Sequence, residues 1–114
     1  MEEKSESKRY LKMRYPDECY PVIALKGHSR RVTVLSEWAL VILTKGVSKK
    51  CMRAMVEGII TYPNGDKDAV HGHIVSIKDK SVVVRLLKAI STARIYEQQQ
   101  WVHQHYPNFD MRMK

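Results

Sequence analysis

The chain has 114 residues, of which 44% are hydrophobic and 28% charged, the size and balance of a single globular domain with one core. No apolar run approaches the roughly 20 residues that a membrane-spanning helix needs, and the polar start at Met1–Ser7 lacks the apolar stretch of a secretory signal, so we expect a cytoplasmic protein. The net charge of +8 favours an acidic partner, such as a nucleotide, a nucleic acid or an acidic protein surface, unless it serves mainly solubility.

The first part of the chain predicts little regular structure. Residues 1–7 contain three Glu and two Ser, and we expect them to form a disordered leader. The next segment, Lys8–Arg14, carries four cations with apolar residues between them, and we interpret it as a flexible basic arm. Pro16 and Pro21 disfavour a helix in the segment that follows.

The middle of the chain predicts six or seven short strands, because β-branched and apolar runs alternate with turn residues at short intervals. The predicted strands are Val22–Leu25, Arg31–Leu35, Trp38–Leu43, Cys51–Tyr62, Ala69–Ile77 and Ser81–Leu87. Within Cys51–Tyr62 the apolar residues alternate with Arg53 and Glu57, which is the period of two of a strand. An Asn-Gly pair at Asn64 and Gly65 predicts the tight turn of a hairpin.

The spacing of apolar residues changes from that of a strand to that of a helix near the C-terminus. Residues 92–105 predict a helix packed on the strands, with Ser91 or Thr92 as its N-terminal cap. The predicted buried stripe is Ile95, Gln99 and Val102, with Tyr96 beside it. Residues 107–114 form the tail, which begins with Pro107 and which we expect to be frayed from Asn108 to Lys114. Short strands without helices between them, closed by one helix, predict a mainly β barrel or sandwich.

The sequence carries no pattern that points to catalysis or to a metal. Cys19 and Cys51 are too few and too far apart for a disulfide framework, and we expect two free thiols. His71 and His73 share one face of a predicted strand, but no nearby acid or thiol completes a zinc site. Nucleophile-elbow, phosphate-binding-loop and dinucleotide-binding motifs are missing, so we expect a protein that is not an enzyme and has no cofactor.

Taken together, the order of elements resembles the PilZ domain family over residues 8–106. The resemblance rests on the basic arm, the strand ending at Leu35-Ser36, the Trp38–Leu43 strand, the Asn-Gly hairpin and the closing helix. It implies a six-stranded antiparallel β-barrel with a C-terminal α-helix. It also implies a site for cyclic di-GMP, which family members bind through two motifs.

Both motifs are degenerate in this chain. The first, Arg-x-x-x-Arg, falls on residues 8–12 with lysine at both arginine positions, and the nearby arginines are out of register. The second, Asp/Asn-x-Ser-x-x-Gly, falls on residues 34–39, where only the serine matches. The candidate ligand residues are Lys8, Arg9, Lys12, Arg14, Val34, Ser36 and Ala39. Lysine loses the bidentate fork of arginine, and valine leaves a guanine donor without a partner, a loss of about 1–3 kcal/mol.

The resemblance therefore implies a regulatory or adaptor domain in a bacterial signalling pathway for motility, biofilm formation or surface attachment. Because of the degenerate motifs, we expect it to act through a protein partner with weak or no binding of cyclic di-GMP. Two alternatives remain open. One is a true cyclic di-GMP receptor that uses the basic arm and Ser36 in a variant geometry. The other is a β-barrel that binds single-stranded nucleic acid, with Tyr10, Tyr15, Tyr20 and Trp38 as stacking residues.

Overall fold

The structure of the protein is a computed structural model that describes residues 11–112. The predicted leader and the first part of the basic arm, including Lys8 and Arg9, lie outside the described residues. Within residues 11–112 the chain forms seven β-strands and one α-helix. They are β1 (Lys12–Arg14), β2 (Val22–Leu25), β3 (His28–Ser36), β4 (Ala39–Leu43), β5 (Met55–Thr61), β6 (Lys67–Ile77), β7 (Ser81–Leu86) and α1 (Thr92–His105).

The strands form a closed antiparallel barrel. Their order is β1-β3-β2-β5-β6-β7-β4, and β4 also pairs with β3, which closes a six-stranded barrel and leaves β1 as an extra strand on β3. This confirms the mainly β class, the six-stranded barrel and the single C-terminal helix. Closure pairs both edges of every barrel strand, which removes the open edges on which sheets aggregate.

The basic arm is not flexible where the structure describes it. Residues 12–14 form β1, and Met13 is fully buried in the core. Alternation along the strand then places Lys12 and Arg14 on the outer face. The interpretation of this part of the arm as flexible is therefore wrong, because pairing with β3 and burial of the Met13 side chain fix the strand to the barrel.

Two bulges and two glycines bend the sheet into a barrel. The pairing of β3 with β4 skips Thr33, and the pairing of β6 with β7 skips Val75, so each bulged strand has one extra residue. A side chain at Gly58 would collide with the carbonyl oxygen of Ala24, and one at Gly72 with that of Arg85. Bulges and glycines of this kind increase local twist and allow strands to approach closely.

The helix α1 covers one end of the barrel. The Ser91 hydroxyl accepts a hydrogen bond from the Arg94 N–H at 3.1 Å, which confirms the predicted cap. The buried positions are Ile95, Gln98 and Val102. The predicted stripe is thus wrong at one position, because Gln98 is buried rather than Gln99, and Tyr96 is 57% exposed.

Polar contacts fix the helix to the β5–β6 hairpin. The Arg94 guanidinium bonds to Asp68 Oδ2 at 2.9 Å and to Asp66 Oδ2 at 2.7 Å. The Tyr62 hydroxyl donates to the same Asp68 oxygen at 2.8 Å. The aspartates hold the pKa of Arg94 above its ordinary value, with the Asp68 hydrogen bond as the main cause.

The segment after the helix is packed rather than frayed as far as the structure describes it. Phe109 and Met111 are partly buried against the core, and the Met111 carbonyl accepts a hydrogen bond from the Arg14 N–H at 3.0 Å. Residues 109–112, here called the C-terminal strap, therefore run beside β1. The frayed tail that the sequence predicted is wrong for these four residues.

Candidate functional site

The structure brings the two degenerate motifs together on the outside of the barrel. Antiparallel pairing of β1 with β3 places Lys12 opposite Ser36 and Arg14 opposite Val34. Ala39 begins β4, directly after the turn that follows Ser36. All five candidate residues that the structure describes thus share one region, here called the Ser36 face. Whether that face takes a ligand stays a prediction.

The hydroxyl of Ser36 is used by the turn itself. It donates to the Ala39 carbonyl at 3.0 Å and accepts from the Ala39 N–H at 3.0 Å, and Ser36 is only 7% exposed. These bonds close the hairpin between β3 and β4, so the hydroxyl stabilises local structure. Ala39 does not have a positive φ, so alanine adds no backbone strain at the position where the motif has glycine.

Arg14 is also engaged within the chain. Its guanidinium carbon lies 4.6 Å from the centre of the Phe109 ring, and its Nε donates to the Arg112 carbonyl at 3.3 Å. Stacking of a guanidinium on an aromatic ring is worth about 0.5–1 kcal/mol at exposed sites. The C-terminal strap therefore holds the Arg14 side chain through both of these contacts.

Acidic groups offset the cations of the Ser36 face. Glu37 Oε1 accepts from the Leu11 N–H at 3.3 Å, next to the start of β1. Asp110 pairs with Arg112 at 3.0 Å on the strap. Lys12, which is exposed, lines a shallow cavity of about 270 Å³ together with the strap. Among the described residues the face carries two cations, the exposed Lys12 and the engaged Arg14, with Glu37 and Asp110 close by.

Positive charge is concentrated elsewhere, at the barrel end away from the helix. Three connections, together with the strand ends that flank them, meet there because successive strands alternate in direction: these segments are residues 25–31, 43–55 and 77–81. This basic end holds nine of the 20 Lys and Arg residues of the chain and one of its 12 Asp and Glu residues. The other residues of the sequence include 11 cations and 11 acids, so these three segments account for the net charge of +8.

Sequence reasoning missed the residues of the basic end, because no two of the three segments are adjacent in the chain. A cavity of about 390 Å³ opens there, and four cations line it: Arg30, Arg31, Lys45 and Lys80. The net charge of every second connection between strands, added together, could have revealed them. In an antiparallel barrel each strand runs opposite to the one before it, so every second connection lies at the same end of the barrel.

The aromatic residues proposed for stacking do not line this cavity. Among residues 11–112, Tyr15 is buried, the Tyr20 hydroxyl donates to Asp17 at 2.8 Å, and Trp38 lies in the β3–β4 turn. Tyr10 lies outside the described residues. A groove that binds single strands needs cations and aromatic rings along the same path, and the described residues do not form one.

The histidines and cysteines have local roles. His71 and His73 both lie on the outer face of β6, as predicted, and His71 Nε2 is 3.1 Å from Glu57 Oε2 on β5. Within residues 11–112 no three His, Cys, Asp or Glu side chains lie close enough together to hold a metal ion. Cys19 and Cys51 are free thiols, and burial raises the pKa of Cys19.

No protein-family model matches this chain, and no curated protein or solved structure matches it either. Along the described part of the chain, no helix combines the length and apolar character needed to cross a membrane.

Proposed function

We propose that this chain is a non-catalytic regulatory domain of the PilZ type that acts by binding another protein and does not use cyclic di-GMP at the Ser36 face. The observation that carries the proposal is the state of that face. The Ser36 hydroxyl closes its own hairpin, Arg14 is held by the C-terminal strap, and Val34 offers no hydrogen-bonding group. A ligand would have to break these contacts before making its own.

The signalling role comes from the resemblance in element order and motif position. It implies a bacterial cytoplasmic pathway that controls motility, biofilm formation or surface attachment. The barrel and the adjacency of Lys12 to Ser36 support this resemblance, because both are what a PilZ-type arrangement requires. The same adjacency favours a second candidate, a cyclic di-GMP receptor in which the strap swings away and releases Arg14.

Isothermal titration with cyclic di-GMP separates the two candidates. For the unmodified chain we expect no dissociation constant tighter than about 100 μM, because two or three lost interactions of about 1–3 kcal/mol each weaken binding by orders of magnitude. A submicromolar constant would overturn the proposal in favour of the receptor.

A restored variant tests the PilZ relation directly. Lys8→Arg, Lys12→Arg, Val34→Asp and Ala39→Gly together rebuild both motifs, and we expect cyclic di-GMP to bind at least about tenfold more tightly. A control with Lys67→Arg and Lys88→Arg makes the same lysine-to-arginine change away from the site and should gain nothing. If the restored variant folds but does not bind cyclic di-GMP more tightly, the PilZ assignment is wrong, and the chain is a binding domain of another family.

A further inference from the structure

A continuous groove crosses the basic end of the barrel. The cavity lined by Arg30, Arg31, Lys45 and Lys80 shares Arg30 and Thr44 with the open mouth of the barrel, a cavity of about 150 Å³. The mouth in turn shares lining residues with a third depression, which extends to Lys26 and Met55. We call this path the basic groove.

The groove has an apolar floor between charged walls. The floor is formed by the interior side chains at the barrel mouth, which are Leu25, Ile42, Val47, Val56, Ile74 and Val82. Its wall cations form no ion pair with any residue in 11–112, and the one carboxylate in its lining, Glu57, is paired with His71. Met55 is 56% exposed and extends the apolar surface at one end.

We propose that the basic groove binds an acidic peptide segment of a protein partner, with one bulky apolar side chain of that segment inserted in the barrel mouth. The inference rests on the proposed function, because it names the surface and the chemistry of the protein contact. Arginine and lysine side chains that form no ion pair with residues 11–112 match carboxylates, and a guanidinium can hold a carboxylate at two points. A cavity of about 150 Å³ is large enough for one benzene-sized group.

The geometry favours a peptide over the other polyanions. Within the described residues the imidazole of His28 is the one ring that lines the three cavities, and no Phe, Tyr or Trp does, so single-stranded nucleic acid would have no row of rings on which successive bases could stack. A flat anionic membrane could contact the rim but not the floor of a concave groove. A peptide can place carboxylates on both walls and an apolar side chain between them.

Selection of peptides from a random displayed library of about twelve residues, on the full chain, tests the inference without assuming a sequence. We expect enriched peptides to carry a net negative charge and one bulky apolar residue, and to lose at least about tenfold in affinity when that residue is replaced by serine. Fluorescence anisotropy of a labelled enriched peptide measures the dissociation constant and its weakening by salt.

Charge reversal locates the site. Lys45→Glu with Lys80→Glu should weaken the enriched peptide at least about tenfold. The matched control, Lys67→Glu with Lys88→Glu, reverses two exposed lysines that lie outside the groove and should weaken it less than about twofold. Equal losses in both variants would show general charge attraction and overturn the inference.

Three other results would also overturn the groove assignment: no enriched peptide, enriched peptides that are neutral or basic, or stronger binding of an oligonucleotide or of anionic vesicles than of any peptide. Failure of the proposed function gives a different result. Tight cyclic di-GMP binding with NMR shift changes at Ser36 would contradict that proposal whether or not peptides bind the groove.

Discussion

Tyr15 joins β1 to the closing helix through a buried hydrogen bond. Its hydroxyl donates to Gln98 Oε1 at 2.8 Å, and Gln98 Nε2 donates to Asn64 Oδ1 at 3.2 Å. Tyr15 is 2% exposed and Gln98 is fully buried. The burial of an amide in the interior is acceptable only because both of its ends are partnered. This network explains why a glutamine, rather than an apolar residue, lies under the helix.

Replacement of Tyr15 by phenylalanine should lower the free energy of unfolding by about 1–3 kcal/mol, because it leaves the buried Gln98 oxygen without a donor. Urea denaturation at neutral pH measures the change. Tyr96→Phe removes a hydroxyl from an exposed side chain and should stay within about 0.5 kcal/mol. Equal effects of the two substitutions would mean that the buried bond adds nothing.

The Tyr15→Phe variant should also differ from the unmodified chain in how its free energy of unfolding changes at alkaline pH. Burial raises the pKa of Tyr15 and of Tyr62 above the ordinary phenol value of 10.0. The unfolded chain therefore releases these protons at a lower pH than the native state does. Their contribution to stability is complete below about pH 10 and is lost as the pH rises further. In Tyr15→Phe the fall in unfolding free energy between about pH 9.5 and 11 should be shallower than in the unmodified chain.

At the scale of elements, sequence patterns predicted the strands well but not every contact that holds them. The predicted strand Ser81–Leu87 differs from β7 by one residue, and Val22–Leu25 matches β2. The start of β3 was placed three residues late, because Lys26 and Gly27 make a two-residue turn, with Gly27 at a φ of +83°, and His28 already pairs with Leu25. Local patterns reveal hydrophobic periods and turns, whereas β1 depends on partners 20 to 24 residues away in the chain.

Gly72 is the position in β6 where the packing of neighbouring strands leaves no room for a side chain. A methyl group there would meet the Arg85 carbonyl oxygen on β7. Gly72→Ala should lower the free energy of unfolding by about 1–3 kcal/mol or more, because two paired strands must separate to accept it. Ala69→Ser, on the exposed face of the same strand, is the control and should change stability by less than about 0.5 kcal/mol. Thermal and urea unfolding compare them, and a neutral Gly72→Ala would show that the strands separate without cost.

At the scale of the whole molecule, charge is separated along the barrel axis. The basic end holds the excess of cations, and the helix end holds Asp66, Asp68 and Glu97, which are paired with Arg94. Like charges at one end repel in the folded state, and salt screens this repulsion.

Added salt should therefore stabilise the protein. We expect the unfolding temperature to rise when sodium chloride is increased from about 0.02 to about 0.3 M, a gain on the order of 0.5–1 kcal/mol. Lys45→Glu with Lys80→Glu should raise the unfolding temperature at low salt and reduce its salt dependence, whereas Lys67→Glu with Lys88→Glu should do neither. A fall in stability with salt would show that attractive pairs dominate the surface instead. Differential scanning calorimetry at the two salt concentrations gives both numbers.

The sequence by itself determined the features that depend on near neighbours. The period of two, the Asn-Gly turn, the Ser91 cap and the switch to a helical period each involve residues within one or two turns of chain, so they predicted a mainly β domain with a C-terminal helix. The departures at Val34 and Ala39 are likewise facts of the sequence.

Only the tertiary structure decided what the site residues do. The Ser36 hydroxyl closes the β3–β4 hairpin, and the Arg14 guanidinium stacks on the Phe109 ring. Arg14 and Phe109 lie far apart in the chain and come into contact only because β1 and the C-terminal strap meet in the fold. The position of the net charge follows from closure of the barrel, which brings three separate connections to one end. Such long-range pairing depends on which strands bury their apolar faces together, and no local pattern records that choice.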